Sequence, residues 1–207
     1  MKTTTSLALI LSLVGTMSLA AGPDTDGDGV PDTAEPLLHT DPGNPDTDGD
    51  GQNDLADAAP VTAPNPTISG SAASPFHIGE ALVENNFDPV AKADASDHLE
   101  LQLVNDTATD VTGLTVFYTF TDTDTDTDTG EAESYAASLG ALAIPANGGI
   151  RVHFDDTGLR GHLRANPNSI YITNPAAKHV SATVQAAGFQ PVTEKIEKDA
   201  GGAEEAD

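Results

Sequence analysis

The run Asp24-Thr25-Asp26-Gly27-Asp28-Gly29 returns 22 residues later as Asp46-Thr47-Asp48-Gly49-Asp50-Gly51. This repeat restricts what its part of the chain can fold into. Between 24 and 57 stand ten Asp and one Glu, with no Lys or Arg, so the stretch carries −11. Its apolar residues are few: Val30, Leu37, Leu38 and Leu55. That is too little for a core, and the carboxylates repel one another. Order here has to come from cations. Random acidic composition does not place Gly at the same positions of two in-register copies.

The spacing names the ion. With Asp24 as loop position 1, Asp26 and Asp28 are positions 3 and 5, Gly29 is 6, the Val30 carbonyl is 7, Asp32 is 9 and Glu35 is 12. The second copy offers Asp46, Asp48, Asp50, Gly51, the Gln52 carbonyl, Asp54 and Asp57. This is the ligand order of an EF-hand calcium loop. Ca²⁺ is a hard cation that takes about 6–8 oxygens, and alternate short carboxylates on a curled backbone supply them. Gly at position 6 makes a turn that a side chain would obstruct. The flanks are not those of an EF-hand, however. Ala21-Gly22-Pro23 and Asp41-Pro42-Gly43-Asn44-Pro45 are poor helix formers, and Pro31 at position 8 has no N–H to pair with a partner loop.

The run from Asp41 to Gly51, with its Asp-Pro-Gly-Asn-Pro lead-in, resembles the thrombospondin type 3 repeat, as does Asp24 to Asp32. The resemblance covers about 24–60. It implies Ca²⁺ ligands at Asp24, Asp26, Asp28, Asp32 and Glu35, then at Asp46, Asp48, Asp50, Asp54 and Asp57, with Asp41 and Asn44 assisting a neighbouring ion. The chain departs from the family in three ways. Pro36 stands in the short helical turn expected after Glu35, Asp57 replaces a longer Glu at position 12, and there is no Cys for disulfides. Extracellular calcium modules bind at ~10⁻⁴–10⁻³ M, a range suited to structural holding.

From about 67 the pattern changes to period-two alternation: Leu99, Leu101, Leu103; Leu114, Val116, Tyr118, Phe120; Ile150, Val152, Phe154; Ile170, Ile172; Val180, Ala182, Val184; and a last run with Val192 and Ile196. A further strand is expected near Phe76–Val83. Short strands separated by turns predict a mainly β chain, an antiparallel β-sandwich. The stretches Asp97–Asn105, Val111–Leu114 and Ile144–Gly149 resemble immunoglobulin-like extracellular modules, lamin-tail-type domains among them. Such modules serve adhesion, spacing or attachment.

Residues 1–20 read as a signal peptide: Lys2, an apolar stretch from Leu7 to Val14, and Ser18-Leu19-Ala20 before the cut. The apolar run is shorter than the ~20 residues of a membrane span. The expected plan is therefore leader 1–20, repeats and linker 22–66, immunoglobulin-like sandwich 67–198 and acidic tail 199–207. The protein is expected to be secreted, in the extracellular space, periplasm or cell surface, without membrane insertion. A net charge of −25 over 207 residues argues against nucleic acid as a partner, and the absence of Cys excludes thiolate chemistry.

Other signals in the sequence are weaker. Thr121 to Thr129 alternates Thr and Asp and reads as an extended hairpin loop. Asp128-Thr129-Gly130 and Asp156-Thr157-Gly158 match the aspartic protease triplet but lack the symmetric setting that chemistry needs. Asn105-Asp106-Thr107 is a sequon. His39, His77, His98, His153, His162 and His179 form no metal-spaced pair, and His98 and His153 are expected to point away from the core; a zinc site would have to be assembled by the fold. Arg160 and Arg164 flank His162, where a sugar or anion contact is conceivable. The expected function is a non-catalytic calcium-binding protein, with a Ca²⁺-rigidified spacer or contact element beside a sandwich that meets an extracellular protein or polysaccharide. The alternative is a carbohydrate-binding module, disfavoured because there is no Trp and only Tyr118, Tyr135 and Tyr171 to form a sugar platform; a hydrolase is the third option.

Overall fold

The fold comes from a computed structural model, which describes residues 22–68, 70–84, 86–88, 92–123, 130–140, 142–155 and 157–201. The leader 1–20, positions 124–129 of the Thr-Asp run, Asp156 and residues 202–207 lie outside the described residues. In chain order the elements are α1 (Glu35–Leu38), β1 (Phe76–Leu82), β2 (Phe87–Asp88), β3 (Ala93–Asp94), β4 (Leu99–Asn105), β5 (Leu114–Asp122), β6 (Ala132–Ser138), β7 (Gly149–Phe154), β8 (His162–Leu163), α2 (Ile170–Thr173), β9 (Lys178–Ala186) and β10 (Val192–Lys198).

Two four-stranded sheets face each other, ordered β1-β4-β7-β8 and β10-β9-β5-β6, and β2 pairs with β3 alone. All pairings are antiparallel except the short parallel contact of β7 with β8. The first, second and fifth long strands share one sheet, and the third, fourth, sixth and seventh share the other, an immunoglobulin-like arrangement of a β-sandwich. The alternating apolar residues explain the layers. Leu99, Leu101 and Leu103 of β4 and Val152 and Phe154 of β7 point inward against Leu114, Val116, Tyr118 and Phe120 of β5 and Val180, Ala182 and Val184 of β9. Tyr118 and Phe154 meet with ring centroids 4.6 Å apart, joining the two sheets through an aromatic contact.

One strand expectation fails. Ile170 and Ile172 belong to the short helix α2, in which Ile170 and Tyr171 are buried in succession while Ile172 is exposed. Two alternating apolar residues cannot distinguish half a strand from one helical turn. The turn is set instead by N–H groups of Ile172 and Thr173 donating to the Ser169 carbonyl. Pro36, a departure from the repeat family, does not prevent α1. It sits in the first turn, where its missing N–H costs no helical hydrogen bond.

The repeat segment lies along β6, the edge of its sheet. Ala136 N–H donates to the Asp48 carbonyl at 2.7 Å, Ser134 N–H to the Val61 carbonyl at 3.0 Å, and Ala63 N–H returns to the Ser134 carbonyl at 2.9 Å. Edge N–H and C=O groups that would otherwise be unpaired are thereby covered. Arg164 grips the buried Asp41 with two bonds, Nε to Oδ2 at 2.5 Å and Nη2 to Oδ1 at 2.6 Å. Asn166 and Asn168 side chains donate to the His39 and Thr40 carbonyls, both at 2.6 Å. Beneath them the buried Glu133 accepts from the Tyr135 hydroxyl at 2.6 Å and the Ile170 N–H at 2.9 Å, and lies 3.1 Å from His39 Nδ1.

Candidate metal centre

The two acidic loops fold by the same set of hydrogen bonds. Asp24 accepts from the N–H groups of Gly27 and Gly29, and Asp46 from those of Gly49 and Gly51, all at 2.9–3.2 Å. Asp26 Oδ1 accepts from Asp28 N–H and Asp48 Oδ1 from Asp50 N–H. Asp28 Oδ1 accepts from Val30 N–H, and Asp50 Oδ1 from Gln52 N–H. Asp32 closes the first loop by accepting from both the N–H and the hydroxyl of Thr25 at 2.7 Å; Asp54 does the same to Thr47 at 2.8 and 2.6 Å. The glycines at loop positions 4 and 6 have left-handed backbones, with φ of 78° and 102° in the first loop and 76° and 97° in the second. An L side chain is strained there, which is why both loops need Gly.

Asp24, Asp46, Asp50 and Asp54 accept through both oxygens, whereas Asp26, Asp28 and Asp48 use only Oδ1. Asp26 Oδ2, Asp28 Oδ2, Asp48 Oδ2, both carboxylate oxygens of Glu35 and the hydroxyl of Thr40 are buried without a hydrogen-bond partner. Among the described residues every such orphaned side-chain atom falls within 26–48. Buried carboxylate oxygens without partners are costly, and a cation is a partner that these oxygens could take. Oxygens of Asp24, Asp26 and Asp28 lie within 4.8 Å of one another, as do those of Asp46, Asp48 and Asp50, and those of Asp28, Glu35 and Asp54. The donor set is all oxygen, which fits Ca²⁺.

The electrostatics agree with that geometry. Burial pushes the Glu35 carboxyl up to about 7, with Asp26, Asp28, Asp32 and Asp41 adding repulsion. Burial likewise raises Asp48 to about 6, opposed by the Asp50 N–H and reinforced by Asp50, Asp57 and Asp46. Asp26 and Asp54 are also raised, chiefly by burial. Carboxylates this crowded favour protonation unless a cation neutralises them.

Eight of the expected ligands therefore gather: Asp24, Asp26, Asp28, Glu35, Asp46, Asp48, Asp50 and Asp54. Glu35 joins Asp28 of its own loop to Asp54 of the other, a link between copies that the one-loop numbering did not anticipate. Asp32 and Asp57 join none of these groups among the described residues: Asp32, like Asp54, accepts from a Thr through both oxygens, and Asp57 Oδ1 accepts from Ala59 N–H at 2.9 Å. Asp41 is held by Arg164, and the Asn44 amide donates to the Asp46 carbonyl at 2.7 Å. The pairing with Asp41 also engages Arg164, one of the two arginines that flank His162.

No protein-family model matches the chain, and no curated protein sequence matches it. Among the described residues no helix is long and apolar enough to cross a membrane. Among solved structures, a β-glucuronidase from glycoside hydrolase family 2 is similar over 62% of this chain and 13% of that one, at 16% identity and a TM-score of 0.35.

Proposed function

We propose that the chain is a secreted, non-catalytic calcium-binding protein of the extracellular space. In this reading Ca²⁺ organises a thrombospondin type 3-like segment, which braces the open edge of an immunoglobulin-like sandwich used for adhesion or attachment to an extracellular protein or polysaccharide. The observation that carries it is the set of buried, partnerless carboxylate oxygens on Asp26, Asp28, Glu35 and Asp48. Asp24, Asp26 and Asp28 would hold one ion, Asp28, Glu35 and Asp54 a second, and Asp46, Asp48 and Asp50 a third. Bound Ca²⁺ supplies positive charge and shared coordination where the carboxylates alone repel. The chain's own contribution is to pre-set the loops: Thr25 and Thr47 fasten Asp32 and Asp54, and the glycines turn the backbone. Through Asp48 and His39 on β6 and Asp41 on Arg164, the repeats act as a contact element for the sandwich.

Calorimetric titration of the mature chain with Ca²⁺ and Mg²⁺, alongside its hydrodynamic radius, tests the reading. Ca²⁺ at ~10⁻⁴–10⁻³ M should bind with contraction of the chain, and Asp28→Ala combined with Asp50→Ala should remove both effects. Absence of binding heat and contraction across that range would sink it. Retention on cell-surface or matrix material in Ca²⁺, lost on chelation, is the expected behaviour of the adhesive role.

A further inference from the structure

The sheet assembles a second cluster of ligating side chains on the outer face of β4, β7 and β8. Its members are far apart in sequence, and register brings them together. Glu100 of β4 pairs with His153 of β7, Leu99 with Phe154, and His153 with His162 of β8. His98 and Asp155 continue the first pairing by one residue beyond Leu99 and Phe154. The alternation that sends Leu99, Val152 and Phe154 into the core sends His98, Glu100, His153 and Asp155 to the other face. That face is not open. His98 and Glu100 are buried, and His153, Asp155 and His162 are partly so.

We propose that His98, Glu100 and His153, with Asp155 as the fourth ligand, form a site for a first-row transition-metal ion of the zinc class. The proposal does not depend on the calcium reading. One ligand atom from each of His98, Glu100 and His153 lies within 4.8 Å of the others. His98 Nε2 is 3.0 Å from His153 Nδ1, Glu100 Oε2 is 3.7 Å from His153 Nδ1, and Asp155 Oδ2 is 4.0 Å from His98 Nε2. Around a tetrahedral ion with bonds of about 2.0–2.1 Å, neighbouring ligand atoms stand about 3.3 Å apart. These three separations straddle that value.

The outer partners fit the same role. His98 Nδ1 is 2.7 Å from the Ser96 carbonyl, which can only accept, so Nδ1 carries a proton and Nε2 accepts from His153 Nδ1–H; ligation through both atoms shifts that His153 proton to Nε2 of its own ring. Asp155 Oδ1 is fixed by the N–H and hydroxyl of Thr157 at 3.1 and 3.0 Å, while His162 Nδ1 lies 2.8 Å from Oδ2. His162 stacks on His153, with centroids 4.4 Å apart and planes 6° from parallel, and so acts as a positioning residue for both. Glu100 is steadied by the Asn86 amide at 3.2 Å and by Arg151. Two imidazoles select zinc-class ions over Ca²⁺, which takes oxygen ligands.

The test uses the untagged mature chain with its calcium loops saturated, and Co²⁺ as the probe. One equivalent of Co²⁺ should give the visible ligand-field absorption of a four-coordinate ion, and Zn²⁺ should displace it. His98→Gln and His153→Gln should each remove the band, and His162→Gln should weaken binding by ~10–100-fold. Asp28→Asn with Asp50→Asn should leave it intact. Independently of any variant, zinc should shift the ring nitrogen resonances of His98 and His153 in the unmodified protein, while those of His77 and His179 stay in place. The proposal fails if no stoichiometric band forms, if the band survives both histidine substitutions, or if zinc leaves the His98 and His153 resonances unmoved.

Discussion

Gly27 and Gly49 occupy the same position of the two loops and share a left-handed backbone, yet their surroundings differ. A Cβ on Gly27 would meet nothing within 4 Å, whereas one on Gly49 would lie 2.0 Å from the Ala136 carbonyl oxygen. Gly27→Ala should therefore cost only conformational strain, roughly 1–2 kcal/mol. Gly49→Ala should cost more, because the loop must lift off β6 and give up the bond between Ala136 and Asp48; parallel denaturant unfolding of the two variants in Ca²⁺ checks the ordering. Glu35 makes a prediction of opposite sign in the two states. Its buried carboxylate lacks any hydrogen bond, so Glu35→Gln should leave the chelated protein as stable as before or more so, while lowering calcium affinity roughly tenfold, ~1.4 kcal/mol. Melting curves with and without chelator, beside calorimetry, read both halves. At this scale the sequence was informative where spacing alone decides contact. The aspartates and glycines of each loop meet over a few residues, so their gathering followed from their order. The partners of Asp41 and His39 are Arg164 and Glu133, and no local pattern points across such distances. The histidine cluster was missed for the same reason: its spacing becomes meaningful only after β4, β7 and β8 are in register.

Among the elements, β6 was the least visible from sequence. Its run Ala132–Ser138 carries small and polar residues, and its pattern lacks the clean alternation of β5. It is a strand because β5 pairs with it on one side and residues 48 and 61–63 cover the other. The strands that alternate clearly, β4, β5, β7 and β9, were legible because each buries one face in a shared core. The helix α2 shows the converse, since Ile170 and Ile172 mimic a strand over too short a run. The dependence of β6 on the repeats has a measurable consequence. Amide exchange at Ser134 and Ala136, whose N–H groups donate to Val61 and Asp48, should be protected in Ca²⁺ and lose that protection on chelation. Tyr118 and Val184, deeper in the same sheet, should change little. Exchange at Ser134 and Ala136 that is indifferent to chelator would show that the brace holds without ions.

Taken as a whole, the molecule concentrates −11 of its −25 formal charge in one short segment and presses that segment against a sandwich through Asp41, His39 and Asp48. Stability should therefore rise with calcium by mass action. At a free concentration about 100 times the dissociation constant, each ion adds about 2.7 kcal/mol, which for a chain of this size raises the melting temperature by about 5–10 °C. Scanning calorimetry across a calcium series checks the slope, and Mg²⁺ at equal concentration should give a smaller rise. The form of the binding curve follows from Asp28, which belongs both to the set with Asp24 and Asp26 and to the set with Glu35 and Asp54. The first arrival pins a side chain that its neighbour also requires and quenches repulsion felt at both places. Saturation should consequently climb more steeply than a simple hyperbola, and the protein would switch between loose and firm over a narrow span of calcium concentration.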